Sequence, residues 1–328
     1  MDDGFLIPPF RPHALLRGGH LQTLAGVYLP GKLRAYRAVA HSIVLDDGDT
    51  IFLHDDRPPG WKEADGAALL LHGLAGCHQS PYMIRAAAKL NDTGVRTFRM
   101  DHRGCGAGAG LARFPYHAGR SDDALAALNR ISEMCPSAPL SLIGFSLSGN
   151  IVLKTVGEDP ALVPETLKAV VAVNPPIDLS RCVRSLERWA CRAYDRHFVK
   201  LLHQQVRQRQ QEFPDAPVGR YLDRPRGLLA FDDQYTALVS GFESAEDYYA
   251  RCSSAVWLAD IRIPTLILAA QDDPLIPVAV FEGVRTSSTT RLQIAESGGH
   301  LGYVGRRGID PDRRWMDWRI VDWVSRIV

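Results

Sequence analysis

The chain has 328 residues, 46% hydrophobic and 23% charged, and its 38 Lys plus Arg nearly cancel 37 Asp plus Glu to leave a formal charge of +1. This is the composition of a folded globular chain, far from the signature of disorder, and it carries no overall electrostatic footprint for nucleic acid. Apolar runs such as residues 67–71 and 169–173 fall far short of the roughly 20 residues that cross a bilayer, so no transmembrane segment is expected.

Met1-Asp2-Asp3-Gly4, with Pro8-Pro9 soon after, offers neither a basic n-region nor an apolar h-region, and the expectation is a cytoplasmic chain. Residues 37–45 and 50–53 read as two strands joined by Asp46-Asp47-Gly48-Asp49, an opening hairpin. From residue 67 onward short apolar runs alternate with helical spacing. Strands are expected at 67–71, 95–100, 140–143, 169–173, 265–269 and 291–294, helices at 82–90, 122–133 and 150–156, and a closing helix at 315–327. The alternation predicts an α/β fold, a mostly parallel sheet with helices on both faces.

Length alone allows about two domains. No repeat or low-complexity linker divides the chain, so one domain over 1–328 is expected. The interval 175–264 breaks the rhythm, with a helical stretch near 181–211 and no core strand, and reads as a helical cap inserted at about 180–255. Within it Arg184, Arg188, Arg192, Arg196 and Lys200 recur every four residues and mark a basic helix face. The default reading is a solvated face with Glu187 and Asp195 as ion-pair partners; the alternative is peripheral contact with anionic lipid. Six scattered cysteines lack metal-ligand spacing and are expected as mostly buried free thiols.

Residues 140–150 run from a strand through Gly144-Phe145-Ser146-Leu147-Ser148-Gly149 into a helix. A serine on such a strained turn stands above the sheet edge as a nucleophile, provided its neighbours two before and two after are small. Gly144 meets the requirement, and Ser148 stands where glycine is usual. The strand at 67–71 leads into His72-Gly73-Leu74-Ala75-Gly76, which places the Leu74 amide, with that of Leu147, as donors to a developing oxyanion. His72 is read as shaping that loop. Asp273, just beyond the strand at 265–269, is the candidate acid, preferred over Asp272 because Pro277 follows it in the customary position. Asp272 braces the loop. His300, flanked by Gly298-Gly299 and Gly302, is the candidate general base. The order Ser146, Asp273, His300 is the nucleophile, acid, base order of α/β-hydrolases.

On these residues the chain resembles the YheT-like family of α/β-hydrolases, relatives of the abhydrolase-domain lipases. The resemblance extends to residues 18–23, Arg103-Gly104-Cys105, Tyr116 to Gly119 with Asp122-Asp123, Phe231-Asp232-Asp233 and Tyr248-Tyr249. It implies a serine hydrolase of carboxylic esters, acting on small-molecule or lipid acyl esters, with a helical cap and no cofactor or metal. The departure is Ser148 for glycine.

Acyl transfer is a second reading, since a His-x4-Asp spacing occurs at His41 to Asp46 and again at His117 to Asp122, but two occurrences weaken its specificity. A non-catalytic binding protein on a hydrolase scaffold is a third. Cys105 lacks an elbow and reads as a packed thiol, and His72, His78, Asp101 and His102 lack metal-ligand spacing. Trp189, Tyr194 and Phe198 of the cap are candidate acyl contacts.

Overall fold

The computed structural model describes residues 6–35, 37–220 and 226–327, so Met1 to Gly4 and part of the expected cap lie outside the described residues. Eight strands form one sheet: β1 (Val39–Val44), β2 (Thr50–Asp56), β3 (Ala67–Leu71), β4 (Arg96–Asp101), β5 (Leu140–Phe145), β6 (Leu167–Val173), β7 (Thr265–Ala270) and β8 (Thr290–Ala295). Their order is β1-β2-β4-β3-β5-β6-β7-β8. β2 is antiparallel to both its neighbours and every other neighbouring pair is parallel.

The central strands read as continuous apolar runs because both faces are covered. Side chains alternate across a strand, so Ala67, Leu69 and Leu71 of β3 enter one core while Ala68 and Leu70 enter the other. Helices α3 (Ser121–Met134) and α4 (Leu147–Glu158) cover the first face. The second is covered by α2 (Pro81–Asp92) and α10 (Trp315–Ile327). Asp317 of α10 accepts from Arg85 at 3.0 Å and Lys89 at 3.1 Å, which clamps α10 to α2.

Expected elements and observed ones coincide, with shifted ends. β2 runs three residues further than expected because Asp55 and Asp56 extend its ladder against Phe98 and Thr97 of β4. A helix absent from the expected series, α1 (Gly19–Tyr28), precedes the sheet; it opens on Gly18-Gly19, and its apolar residues face outward, so its periodicity points the wrong way.

Between β6 and β7 the chain passes through α5 (Leu179–Leu186), α6 (Arg192–Glu212), α7 (Leu228–Phe231), a π-helical turn at Asp232–Thr236, α8 (Ala237–Val239) and α9 (Ala245–Cys252). Arg188, Arg192, Arg196 and Lys200 are exposed. Asp195 is not their partner: it is buried and accepts the Leu228 N–H at 2.8 Å. Arg184 pairs with Glu246. All six cysteines are unpaired, Cys77 half-buried and the rest buried. Among the described residues no helix is long and apolar enough to cross a membrane.

Since β3, β5, β6, β7 and β8 run parallel, their carboxyl ends share one edge of the sheet, where the loops that follow them meet.

Candidate active site

Ser146 occupies the turn between β5 and α4 with φ 54° and ψ −120°. A non-glycine residue held there costs about 1–3 kcal/mol, and it persists because the surroundings fix it. The Ser146 N–H donates to the Val173 carbonyl at 2.8 Å and the Gly149 N–H to the Ser146 carbonyl at 2.7 Å. The turn is so tight that a Cβ on Gly144 would lie 2.2 Å from the Ser148 carbonyl oxygen.

The structure brings Ser146, Asp273 and His300 together. His300 Nε2 lies 2.8 Å from Ser146 Oγ, and His300 Nδ1 lies 2.8 Å from Asp273 Oδ2. Asp273 is fully engaged: Oδ2 also accepts from Asn174 Nδ2 at 2.7 Å, and Oδ1 accepts the Leu275 and Ile276 amides at 2.8 and 3.1 Å. Neighbouring Asp272 has a different partner, the Gly299 N–H at 2.9 Å. An imidazole so placed can take the hydroxyl proton on one nitrogen while the carboxylate fixes its tautomer through the other.

α1 packs against the histidine loop. Thr23 Oγ1 accepts the His300 N–H at 2.9 Å and donates to the Gly19 carbonyl at 2.7 Å. Gln22, fully buried, accepts the Val304 N–H at 2.8 Å and donates to the Val304 carbonyl at 3.1 Å. Gly19 approaches Asp272 so closely that a Cβ would meet its carbonyl oxygen at 1.6 Å. Asn174, at φ 47°, is a further group that sequence spacing does not single out.

In the loop after β3, the Gly73 N–H donates to Tyr82 Oη at 3.0 Å and the Ala75 N–H to Tyr116 Oη at 2.6 Å. The Gly76 N–H donates to the Gly73 carbonyl at 3.1 Å. Among the hydrogen bonds of the described residues none takes up the Leu74 N–H between them. Leu147 opens α4, where amides lack intrahelical acceptors and the helix end is positive. Gly73 backs onto the serine, 3.0 Å from an added Cβ to Ser146 Cβ.

Ser148 does not open the elbow. Its buried hydroxyl donates to the His72 carbonyl and lies 2.8 Å from His102 Nε2, tying the start of α4 to the loops after β3 and β4. The His102 ring stacks on Tyr116 with centroids 5.0 Å apart. Burial depresses the basicity of His72, and that of His102 still further, which keeps both imidazoles neutral.

Leu74 and Leu147 also open onto a cavity between sheet edge and cap, lined further by Leu202, Val206, Phe231 and Tyr235. Trp189, Tyr194 and Phe198 do not line it; the C-terminal half of α6 faces it instead. Asp232 lies on its wall, bonded to Tyr249 Oη at 2.8 Å, and burial pushes its carboxyl up to about 6.

The imidazole and carboxylate groups weighed as metal ligands separate into two sets. The His102 imidazole meets Ser148 and that of His72 accepts the His102 N–H at 3.4 Å, while His78 meets Asp101 together with His54, the three offering atoms within 4.8 Å of one another. Asp101 Oδ2 lies 2.8 Å from His54 Nε2 and 2.7 Å from His78 Nδ1, and accepts the Ala107 N–H at 2.8 Å. Burial pushes this carboxyl up, but these bonds outweigh it and hold it well below the usual carboxylate range. Neither His-x4-Asp pair meets: His41 lies 3.3 Å from Asp55, and Asp122 pairs with Arg120 at 3.5 Å. Cys105 is buried, which raises its thiol far above the thiolate range.

A model of the alpha/beta hydrolase fold matches residues 68–306. The chain is 30% identical to the Escherichia coli (strain K12) protein named “Putative esterase YheT”, over 93% of this chain and 90% of that protein. It is 24% identical to the monoacylglycerol lipase of Saccharomyces cerevisiae, over 80% of this chain and 59% of that protein. The solved structure of Est1E from Butyrivibrio proteoclasticus with bound ferulic acid superposes with a TM-score of 0.57 and 14% identity, covering 88% of this chain and 98% of the other.

Proposed function

The chain belongs to the alpha/beta hydrolase fold family, and on that premise we propose that it is a serine hydrolase that cleaves carboxylic esters of acyl or lipid type through an acyl-enzyme intermediate. The observation that carries this reading is the continuous hydrogen-bonded line Asp273–His300–Ser146, with Ser146 on a strained turn at the sheet edge. His300 takes the Ser146 proton as Oγ attacks the ester carbonyl, and the Leu74 and Leu147 amides receive the developing oxyanion. Asp273 holds the imidazolium. His300 then returns the proton to the leaving alcohol, and an activated water releases the acid and regenerates Ser146.

The apolar cavity that meets Leu74 and Leu147 is suited to the acyl chain, with residues 180–255 acting as cap to a single hydrolase domain. Relatives named as esterase and monoacylglycerol lipase support the substrate class. We place the enzyme in the cytoplasm, a reducing compartment where six unpaired cysteines persist. The reaction as written uses protein groups and water, without a cofactor.

Labelling with a fluorophosphonate probe tests the assignment. The wild-type chain is expected to be labelled once, at Ser146, and Ser146→Ala to resist the probe. A folded wild type that resists it, or a variant that still takes it, contradicts the reading.

A further inference from the structure

α1 is built inside out. Gln22 and Thr23 face inward, while Leu21, Leu24 and Tyr28, spaced i, i+3 and i+7, share an outward face with Val27 beside them. Val27 is 60% and Tyr28 74% exposed. In an ordinary surface helix these positions would be polar. The inward polar groups are already spoken for by the histidine loop, so the outward apolar face needs a separate explanation.

Trp189, 86% exposed, belongs to the cap segment that meets α1. Its short 3-10 turn, Trp189–Cys191, leads into Tyr194, whose ring stacks on His20 of α1 with an Oη to Nδ1 distance of 3.1 Å. The surroundings are basic. Residues 5–45 contain Arg11, Arg17, Lys32, Arg34 and Arg37 and no Asp or Glu; Arg34 pairs with Asp92, while Arg17 and Lys32 are exposed at the two ends of the helix. Arg188, Arg192, Arg196 and Lys200 are exposed on the cap, with one exposed acid, Glu187, beside Arg188, while Asp195 is turned inward.

We propose that α1 and Trp189 form a docking surface for an anionic phospholipid bilayer, with the basic residues around them meeting the head groups. An apolar helix face with Arg17 and Lys32 at its ends, and an exposed tryptophan next to Arg188, match the interfacial, non-spanning mode of membrane contact. The charge favours a bilayer over a second copy of the chain, because a two-fold contact sets each basic row against the other. Docking here leaves one helix between the lipid and the His300 loop, which is bonded to the inward Thr23.

Flotation of the full chain with vesicles tests the proposal independently of any ester chemistry. The wild type is expected to float with vesicles of phosphatidylcholine plus phosphatidylglycerol, to be released by salt, and to remain behind with phosphatidylcholine alone. A Val27→Gln, Tyr28→Gln, Trp189→Gln variant, changed only at highly exposed positions and checked by circular dichroism, should lose at least about tenfold in partition. Arg188→Gln with Arg192→Gln should lose about fivefold per residue. Absence of wild-type flotation, or a partition unaltered by the apolar substitutions, overturns the proposal. A dimer in sedimentation equilibrium that those substitutions dissociate, without flotation, assigns the face to a second copy and overturns it equally.

Discussion

The Thr23 hydroxyl accepts the backbone N–H of His300 at 2.9 Å across a separation of 277 residues. The bond fixes the imidazole from behind while its two nitrogens face Ser146 and Asp273. Thr23→Val removes the acceptor and keeps the shape. It should lower kcat for a p-nitrophenyl ester about tenfold with little change in KM, because the effect is on alignment and not on substrate contact. Thr23→Ser should restore kcat to within about twofold. Unchanged kcat in Thr23→Val, with a loss in Thr23→Ser, would show that the methyl packing, and not the hydroxyl, matters.

Ser148 departs from the usual elbow glycine, and its hydroxyl links the His72 carbonyl to His102. Restoring glycine should therefore harm the protein. Ser148→Gly is expected to cost about 1–3 kcal/mol in urea unfolding, from the lost bonds and the buried imidazole left without its partner, and to bring no gain in kcat. A more active variant of unchanged stability would mean that the serine impairs the elbow.

Asp232 sits in the cavity wall with its carboxyl raised from 3.8 to about 6 by burial, against the bond from Tyr249. The folded state thus holds its proton more tightly than the unfolded chain does. Stability from this group is greatest below pH 4 and is lost as the pH rises through 4 to 6, by about 3 kcal/mol in all. Asp232→Asn should be more stable than wild type at pH 7 and should lack that part of the pH dependence. Denaturant unfolding at several pH values reads both, and a variant less stable at pH 7 would contradict the assignment.

Arg103 is buried between Asp49, at 2.9 Å, and Asp123, at 2.7 Å, so it ties the β1–β2 turn to α3. Arg103→Met strands two buried carboxylates and should cost about 3–5 kcal/mol. A melting temperature near that of wild type would refute this structural role.

The candidate site was legible where chemistry sits in short loops at the ends of apolar strands. Ser146, Asp273 and His300 each follow such a strand, and parallel pairing carries all three to one edge. What could not be read was long-range. Thr23 and Asn174 support the histidine and the acid through contacts spanning 277 and 99 residues, which no local spacing reveals. The rotation of α6 has no local signal either: its row of aromatic and basic residues lies in the N-terminal half, while Leu202 and Val206 face the cavity. The meeting of His54 with Asp101 depends on antiparallel pairing of β2 with β4, which has no signal in the alternating pattern.

The most direct test of the central claim is hydrolysis of p-nitrophenyl esters from acetate to palmitate by the wild type and by Ser146→Ala. The account predicts wild-type turnover with an optimum set by the cavity at Leu74 and Leu147, and a loss of at least about a thousandfold in kcat in the variant while its fold is retained. Turnover near the wild-type level in Ser146→Ala would contradict it.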